Sequence, residues 1–156
     1  MIQIREMRPT DATIAAELGN ELGYTVSTAL FAERIALLCD DISDKTTYGL
    51  LVAEHEKLGI VGWVYIYSMQ PLLTERYAEI GGLVVGKRAR RTGAGAALMQ
   101  AAEAWAIERV YATMRLRSGM HRPEAHLFYE KIGYAKVRES MMFQKTLASS
   151  FINADC

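Results

Sequence analysis

Two cysteines, three prolines and no surplus of either charge are the scarcities that first bound this 156-residue sequence. Cys39 and Cys156 lie far apart and outside any metal-ligand spacing, so neither a disulfide framework nor a metal site is expected. So little cysteine fits a reducing, cytoplasmic compartment. With 18 basic and 18 acidic residues the net charge is zero, which argues against a generally basic nucleic-acid binder and against a membrane-surface protein. No apolar run approaches the roughly 20 residues that span a bilayer. The N-terminus mixes Arg5, Glu6 and Arg8 among its apolar residues, unlike a signal peptide. Repeats, low-complexity tracts and Pro/Gly/Ser linkers are also missing, so the expectation is one domain over residues 1–147 and a loosely held tail over 148–156. What is plentiful is apolar side chain, 51% of the residues, enough for a core that needs no staple.

Periodicity orders the chain. Ile2, Ile4 and Glu6–Met7 alternate as a strand does, and Pro9 ends it with Thr10 or Asp11 placed to cap a helix. Ile14, Leu18 and Leu22 recur at helical spacing up to Gly23, and a second helix starting after Ser27 buries Leu30, Phe31, Ile35 and Leu38. The period then changes. Tyr48–Glu54 and Ile60–Ser68 are β-rich runs joined by His55-Glu56-Lys57, which reads as a hairpin, and Tyr77–Val85 is a third run. Ala94–Val110 is a helix with Leu98, Ala102 and Trp105 on one stripe, and Met114–Arg117 is strand-like. Pro123 suits the start and Gly133 the end of another helix, with Leu127, Phe128 and Ile132 facing inward. Val137 and Met141–Leu147 close with one or two strands. The expected fold class is α/β (α+β): a mixed sheet of about six or seven strands with about four helices on both faces.

The most informative segment runs from Gly82 to Leu98. A buried strand enters a basic, glycine-bearing turn that opens directly into an Ala-rich helix. The first N–H groups of a helix have no internal partner, and the macrodipole adds positive charge there. Gly93 and Gly95 lack a Cβ, so an anion can come close to those groups. Arg90 and Arg91 can add charge-assisted bonds to phosphate oxygens. The competing readings are weaker. A nucleotide P-loop would end in Gly-Lys-Ser/Thr. A dinucleotide fingerprint would place its first glycine right after the strand, with an acidic residue roughly 20 positions on; here a basic stretch intervenes and that region holds Arg115 and Arg117. A nucleic-acid patch finds no basic surplus elsewhere. Glycines that serve only strand–helix packing remain the bland alternative. The physics favours a phosphate or pyrophosphate site.

Arg90-x-x-Gly93-x-Gly95, following Leu83-Val84-Val85, resembles the coenzyme A signature Gln/Arg-x-x-Gly-x-Gly/Ala of the GNAT superfamily of N-acetyltransferases. Further on, Ala125-His126-Leu127-Phe128-Tyr129-Glu130-Lys131-Ile132-Gly133-Tyr134 is similar to that family's Ala-x-x-Phe-Tyr-x-x-x-Gly-Phe/Tyr segment. Two motifs in order are far more specific than one, and the element order agrees over residues 1–147. The resemblance implies a sheet that splays after its fourth strand. The pantetheine of acetyl-CoA would lie along Leu83, Val84 and Val85, and its pyrophosphate on the turn of Arg90, Arg91, Thr92, Gly93, Ala94, Gly95 and Ala96. It also implies direct attack of an amine on the acyl thioester, with a backbone N–H near Val84 or Val85 polarising the carbonyl.

Within that resemblance Tyr129 is the expected proton donor to the coenzyme A sulfur; the plainer alternative is packing beside Phe128. His126 lies three residues before it on the same helical face, so a relay is conceivable, although a surface histidine is the simpler reading. Glu79 is the candidate general base, acting through a water, with solvent exposure or an Arg76 pair as alternatives. Gly86 stands where many relatives carry Pro or Asp, with no expected effect on the cofactor. Ser118 replaces a frequent asparagine, which leaves one hydrogen bond to the cofactor or acceptor in question. The acceptor is expected between the first two helices and the C-terminal ends of the strands, near Glu17, Glu21, Tyr24, Glu33 and the loop from Met69 to Arg76. Those carboxylates could attract a cationic amine or could be a solvated face. Small-molecule and peptide amines both remain open as acceptors. Phe151, Ile152 and Cys156 could dock on a partner subunit to form a homodimer. The reading from another class is an acyl-CoA-binding module without turnover.

Overall fold

The alternating runs in the middle of the chain pair with one another as an antiparallel meander. A computed structural model describes residues 1–40 and 47–148. Its strands are β1 Ile2–Glu6, β2 Tyr48–His55, β3 Gly59–Met69, β4 Tyr77–Val85 and β5 Met114–Leu116. They form one sheet in the order β1-β2-β3-β4-β5. The first four are antiparallel neighbours, while β5 returns parallel to β4 after a helical crossover. The helices are α1 Ala12–Glu21, α2 Thr28–Asp40, α3 Ala94–Glu108 and α4 Pro123–Lys131, with 3-10 turns at Pro9–Asp11 and Lys87–Ala89. The mixed α/β architecture expected from the periodicity is the one that forms.

Helix ends follow their local chemistry. Ser27 Oγ accepts the Leu30 N–H at 3.1 Å, which starts α2 where the sequence places it. Asn20 bonds both the N–H and the C=O of Val26, fixing the link between α1 and α2. Gly23 adopts φ 96° just beyond α1, a conformation that favours glycine. Consecutive residues of β3 point to opposite faces of the sheet. The Trp63 indole donates to the Ala15 carbonyl of α1 at 2.9 Å. A Cβ on Gly62 would instead lie 3.2 Å from Leu98 of α3. Thus α1 and α3 cover opposite faces. The stripe Leu98, Ala102 and Trp105 is buried as expected, and Ala15, Ala16 and Leu18 bury α1. Ile14 was expected on that buried stripe but is exposed, because two alanines make the close contact instead.

The chain divides into two compact units, Met1–Gly119 and the part from Met120 onward. The sheet and α1–α3 belong to the first. In the second, α4 ends as expected at Gly133, φ 101°, whose N–H bonds the Glu130 carbonyl at 3.1 Å. Leu127, expected to face inward, is exposed, whereas Phe128 and Ile132 are half-buried. The strands expected at Val137 and Met141–Leu147 are not formed. Val137, Met141, Met142, Phe143 and Leu147 are 82–90% exposed, and no ladder satisfies their backbone. The sheet therefore holds five strands among the described residues, fewer than the sequence suggested. Phe151, Ile152 and Cys156, the tail residues considered for docking, lie outside the described residues. No described helix is long and apolar enough to cross a membrane.

Candidate active site

Gly81 and Gly82 interrupt β4 where it matters most. Tyr65 pairs with Gly82 and Ile66 with Ile80, so Gly81 is an extra residue on β4. Such a bulge bends its strand and disturbs the ladder. Accordingly β4 pairs with β5 only over Ala78, Glu79 and Ile80. From Gly81 to Val85 the β5 side of β4 has no strand partner among the described residues. The Gly86 N–H bonds the Val61 carbonyl of β3 at 2.8 Å. Backbone groups alternate direction along a strand, so Val84 turns its N–H and C=O toward β3. Leu83 and Val85 turn theirs to the open edge. The three residues singled out in the sequence therefore divide: two present backbone to the gap and the third, nearly fully buried, anchors the strand.

Beyond β4 the chain is steered by bonds to α1 and within the turn itself. The Glu21 carboxylate at the end of α1 accepts the Lys87 N–H at 3.0 Å. That carboxylate, considered above as an acceptor attractor, also holds the turn. A Cβ on Gly86 would come within 2.6 Å of Leu18, so this glycine lets the turn sit against α1. Thr92 returns both its N–H and its hydroxyl to the Ala89 carbonyl, at 3.3 and 2.6 Å. Arg91 (φ 65°) and Gly93 (φ 86°) are left-handed, which aims the chain into α3. The Gly93 carbonyl accepts the Ala97 N–H at 2.9 Å. The N–H groups of Ala94, Gly95 and Ala96 precede the first acceptors of the helix and so have no intrahelical partner. A Cβ on Gly93 would meet nothing within 4 Å. Its open side is free space, bordered by the exposed Arg90 and Arg91. This is the geometry of an anion seat.

Glu79 is one of two buried charged residues among those described, 4% exposed. It neither faces solvent nor pairs with Arg76, whose guanidinium stacks on Tyr111 at 4.6 Å. Instead its carboxylate accepts the Tyr67 hydroxyl and, at 3.2 Å, the Arg117 Nε–H. Tyr67 faces Glu79 in the β3–β4 register, and Arg117 follows β5. Burial first, and then the carboxylate, push the Tyr67 phenol up to about 12, so it is a hydrogen donor at neutral pH. Burial also raises the Tyr65 phenol. Its ring lies 5.6 Å from that of Tyr67. Sequence reasoning selected Glu79 but missed Tyr67 on β3 and Arg117 just past β5; the Gly81-Gly82 pair was the signal for the bulge.

Ser118 is half-buried in the segment after β5, while Glu17, Tyr24 and Glu33 are exposed. In the second unit Tyr129 is half-buried on α4 at the centre of an aromatic cluster. Its ring lies 5.3 Å from Phe128 and 6.2 Å from Tyr134, both edge-on. The Tyr134 N–H closes the helix end on the Tyr129 carbonyl at 2.9 Å. The packing expected beside Phe128 is therefore present.

A strand opened by a bulge thus runs into a basic, glycine-bearing turn at the start of a helix. The acetyltransferase (GNAT) family profile matches residues 12–134, and the chain belongs to that family. No functionally curated protein matches it by sequence. Its fold is shared with solved structures of low identity. Glucosamine-6-phosphate N-acetyltransferase from Arabidopsis thaliana is 20% identical, with a TM-score of 0.74 over 95% of this chain and 99% of the other. Aminoglycoside antibiotic 6'-N-acetyltransferase from Acinetobacter baumannii is 14% identical, with a TM-score of 0.78 over 95% and 100%. AAC(6')-Iy, solved with the bisubstrate analog CoA-S-monomethyl-acetylneamine, is 12% identical with a TM-score of 0.81 over 94% and 99%.

Proposed function

We propose that this chain moves an acetyl or short acyl group from acetyl-CoA to a primary amine by direct attack in a ternary complex. The observation that carries the reading is one continuous track: the β4 edge left open beyond Gly81 leads straight to the left-handed Gly93 and the unpartnered N–H groups of α3. Pantetheine amides would bond the outward backbone of Leu83 and Val85. Pyrophosphate would sit on Gly93–Ala96, with Arg90, Arg91 and Thr92 around it and Ser118 contributing a further polar contact. The Val85 N–H, which points to the open edge, would stabilise charge developing on the thioester oxygen.

Proton bookkeeping assigns the remaining roles. The amine nitrogen forms the new C–N bond as the C–S bond breaks, so nitrogen must lose a proton and sulfur must gain one. Glu79 takes the first through a water, and Tyr129 supplies the second. The assignment of Tyr129 rests on its match to the family's Phe-Tyr segment. No metal, nucleic acid or membrane enters this scheme. The acceptor is a small-molecule or peptide amine, the compartment cytoplasmic, and residues 1–147 act as one transferase domain ahead of the 148–156 tail. A homodimer is compatible with the scheme and not required by it.

A thiol-release assay with acetyl-CoA across a panel of primary amines tests the proposal. Amine-dependent release is expected. Tight coenzyme A binding without release on any amine would support the non-catalytic acyl-CoA-binding module instead. Tyr129→Phe should slow transfer within the roughly 10²–10⁴-fold range of general acid–base catalysis while coenzyme A affinity holds. A rate within about twofold of wild type would remove Tyr129 from the chemistry.

A further inference from the structure

On the face of the sheet opposite α3, a cavity of about 170 Å³ opens between α2 and strands β2 and β3. Phe31, Ile35, Leu38, Leu50, Trp63 and Tyr65 form most of its wall. All but Ile35 are half-buried, so their exposed edges are the surface a guest would touch. The charged liner is Arg34, which is exposed and therefore at the rim. An apolar cavity of roughly 150 Å³ holds a benzene molecule, so this one accommodates a single aromatic ring or a branched alkyl group. The space is open to solvent on one side, and its walls are almost wholly apolar.

Its position ties it to β4. Trp63 and Tyr65 pair across the ladder with Val84 and Gly82, the stretch of β4 that carries the open edge. Gly81 and Gly82 have no side chains to intervene, and the rings of Trp63, Tyr65 and Tyr67 lie over them: a Cβ on Gly81 would fall 2.6 Å from Tyr67 and one on Gly82 3.1 Å from Trp63. An aromatic row thus runs along β3 from the cavity to Tyr67, whose hydroxyl meets Glu79. Two residues along a strand span about 6.6 Å, the length of a short alkyl linker.

Resting on the acetyl-transfer reading above, we infer that the acceptor is a primary amine carrying one compact apolar group, an aromatic ring or branched alkyl chain. The cavity seats that group, and a short linker leads the amine toward Glu79. Polyhydroxylated sugars fit this site badly, because hydroxyls placed against these walls would find no partners. The sugar and aminoglycoside acceptors named for the structural neighbours therefore do not carry over to this chain.

Acetylation of 2-phenylethylamine, isopentylamine, ethanolamine, glucosamine and kanamycin by the full chain tests the inference. A single methylene in an apolar pocket is worth about 10–200-fold in kcat/KM, so the first two amines should exceed the others by at least about tenfold. Leu38→Phe, which fills the cavity from α2, should collapse the ratio of 2-phenylethylamine to ethanolamine. Phe31→Ala, which enlarges it, should shift preference toward 2-naphthylethylamine and serves if the first variant does not fold. Preference for glucosamine or kanamycin, or ratios unchanged in the folded variants, would overturn the inference. Calorimetric titration of 2-phenylethylamine into the coenzyme A-saturated protein reads the cavity without turnover. Saturable binding that Leu38→Phe weakens supports the seat even if transfer fails. No binding, or binding indifferent to that variant, refutes it.

Discussion

Tyr67 donates its hydroxyl hydrogen to the Glu79 carboxylate directly across the β3–β4 ladder. The bond joins two central strands and satisfies a carboxylate that the fold has almost wholly removed from water. Tyr67→Phe should therefore destabilise the protein by about 1–3 kcal/mol, the usual result of leaving a buried acceptor short of a donor. The sign of the pH dependence follows from the phenol, which is raised from 10.0 to about 12. A raised acid binds its proton more tightly when folded, so its stabilisation is complete below 10 and lost as pH climbs toward 12. Urea unfolding between those values should show wild type losing stability more steeply than Tyr67→Phe. Parallel curves would mean the bond contributes nothing.

Asp11 shows the opposite dependence. Its buried carboxylate takes two bonds from the Arg5 guanidinium, at 2.8 and 3.1 Å, and one from the Arg8 N–H at 2.7 Å. The Arg5 bonds lead in holding its pKa below the ordinary 3.8, against the contrary pull of burial. Stability from this group is present above the unfolded value and disappears as pH falls through the depressed one. Asp11→Asn should weaken the fold at pH 7 by about 1–3 kcal/mol and flatten the acid limb of a stability–pH curve. An acid limb as steep as that of wild type would assign it to other carboxylates.

Val110 is strained. Just past α3 it adopts φ 62° with its side chain 79% exposed, so a β-branched residue holds a left-handed conformation with little packing to offset the cost. That conformation costs an L-residue roughly 1–2 kcal/mol. Val110→Gly should raise the melting temperature, by an amount corresponding to about 1 kcal/mol, whereas Val110→Ala should gain little. Equal melting temperatures for the two variants would show that the strain is relieved elsewhere in the turn.

The sequence was most legible where one segment alone decides the outcome. α3 forms with its Leu98, Ala102 and Trp105 stripe because a helix bonds within itself, and the Gly93 turn is recognisable because its glycines and basic residues are contiguous in sequence, although Glu21 of α1 also holds it. Strands need partners, and at the C-terminal end the reading faltered. Met141–Leu147 alternates acceptably, yet an alternating pattern supplies no ladder, and the segment stays exposed. Glu79 stood out as a carboxylate on β4. Its burial and its bonds to Tyr67 and Arg117 depend on register with β3 and on the short β5, which no local pattern encodes. The aromatic cavity was hidden for the same reason, since Phe31, Leu50 and Trp63 meet from three elements.

Gly93 offers the sharpest separation of folding from binding. An added methyl would meet nothing within 4 Å, so Gly93→Ala should lose only the conformational term for φ 86°, about 1–2 kcal/mol. The same methyl would project into the space assigned to pyrophosphate, and coenzyme A affinity should fall by at least about tenfold, or 1.4 kcal/mol. Arg91→Gly makes the complementary case. It relieves a left-handed arginine at φ 65° and should raise stability, while loss of an exposed cation weakens coenzyme A binding most at low salt. Thermal unfolding of the free proteins, with calorimetry of coenzyme A at two ionic strengths, separates the effects. If both variants bound coenzyme A as wild type does, the turn would be a packing device and the pyrophosphate seat would lie elsewhere.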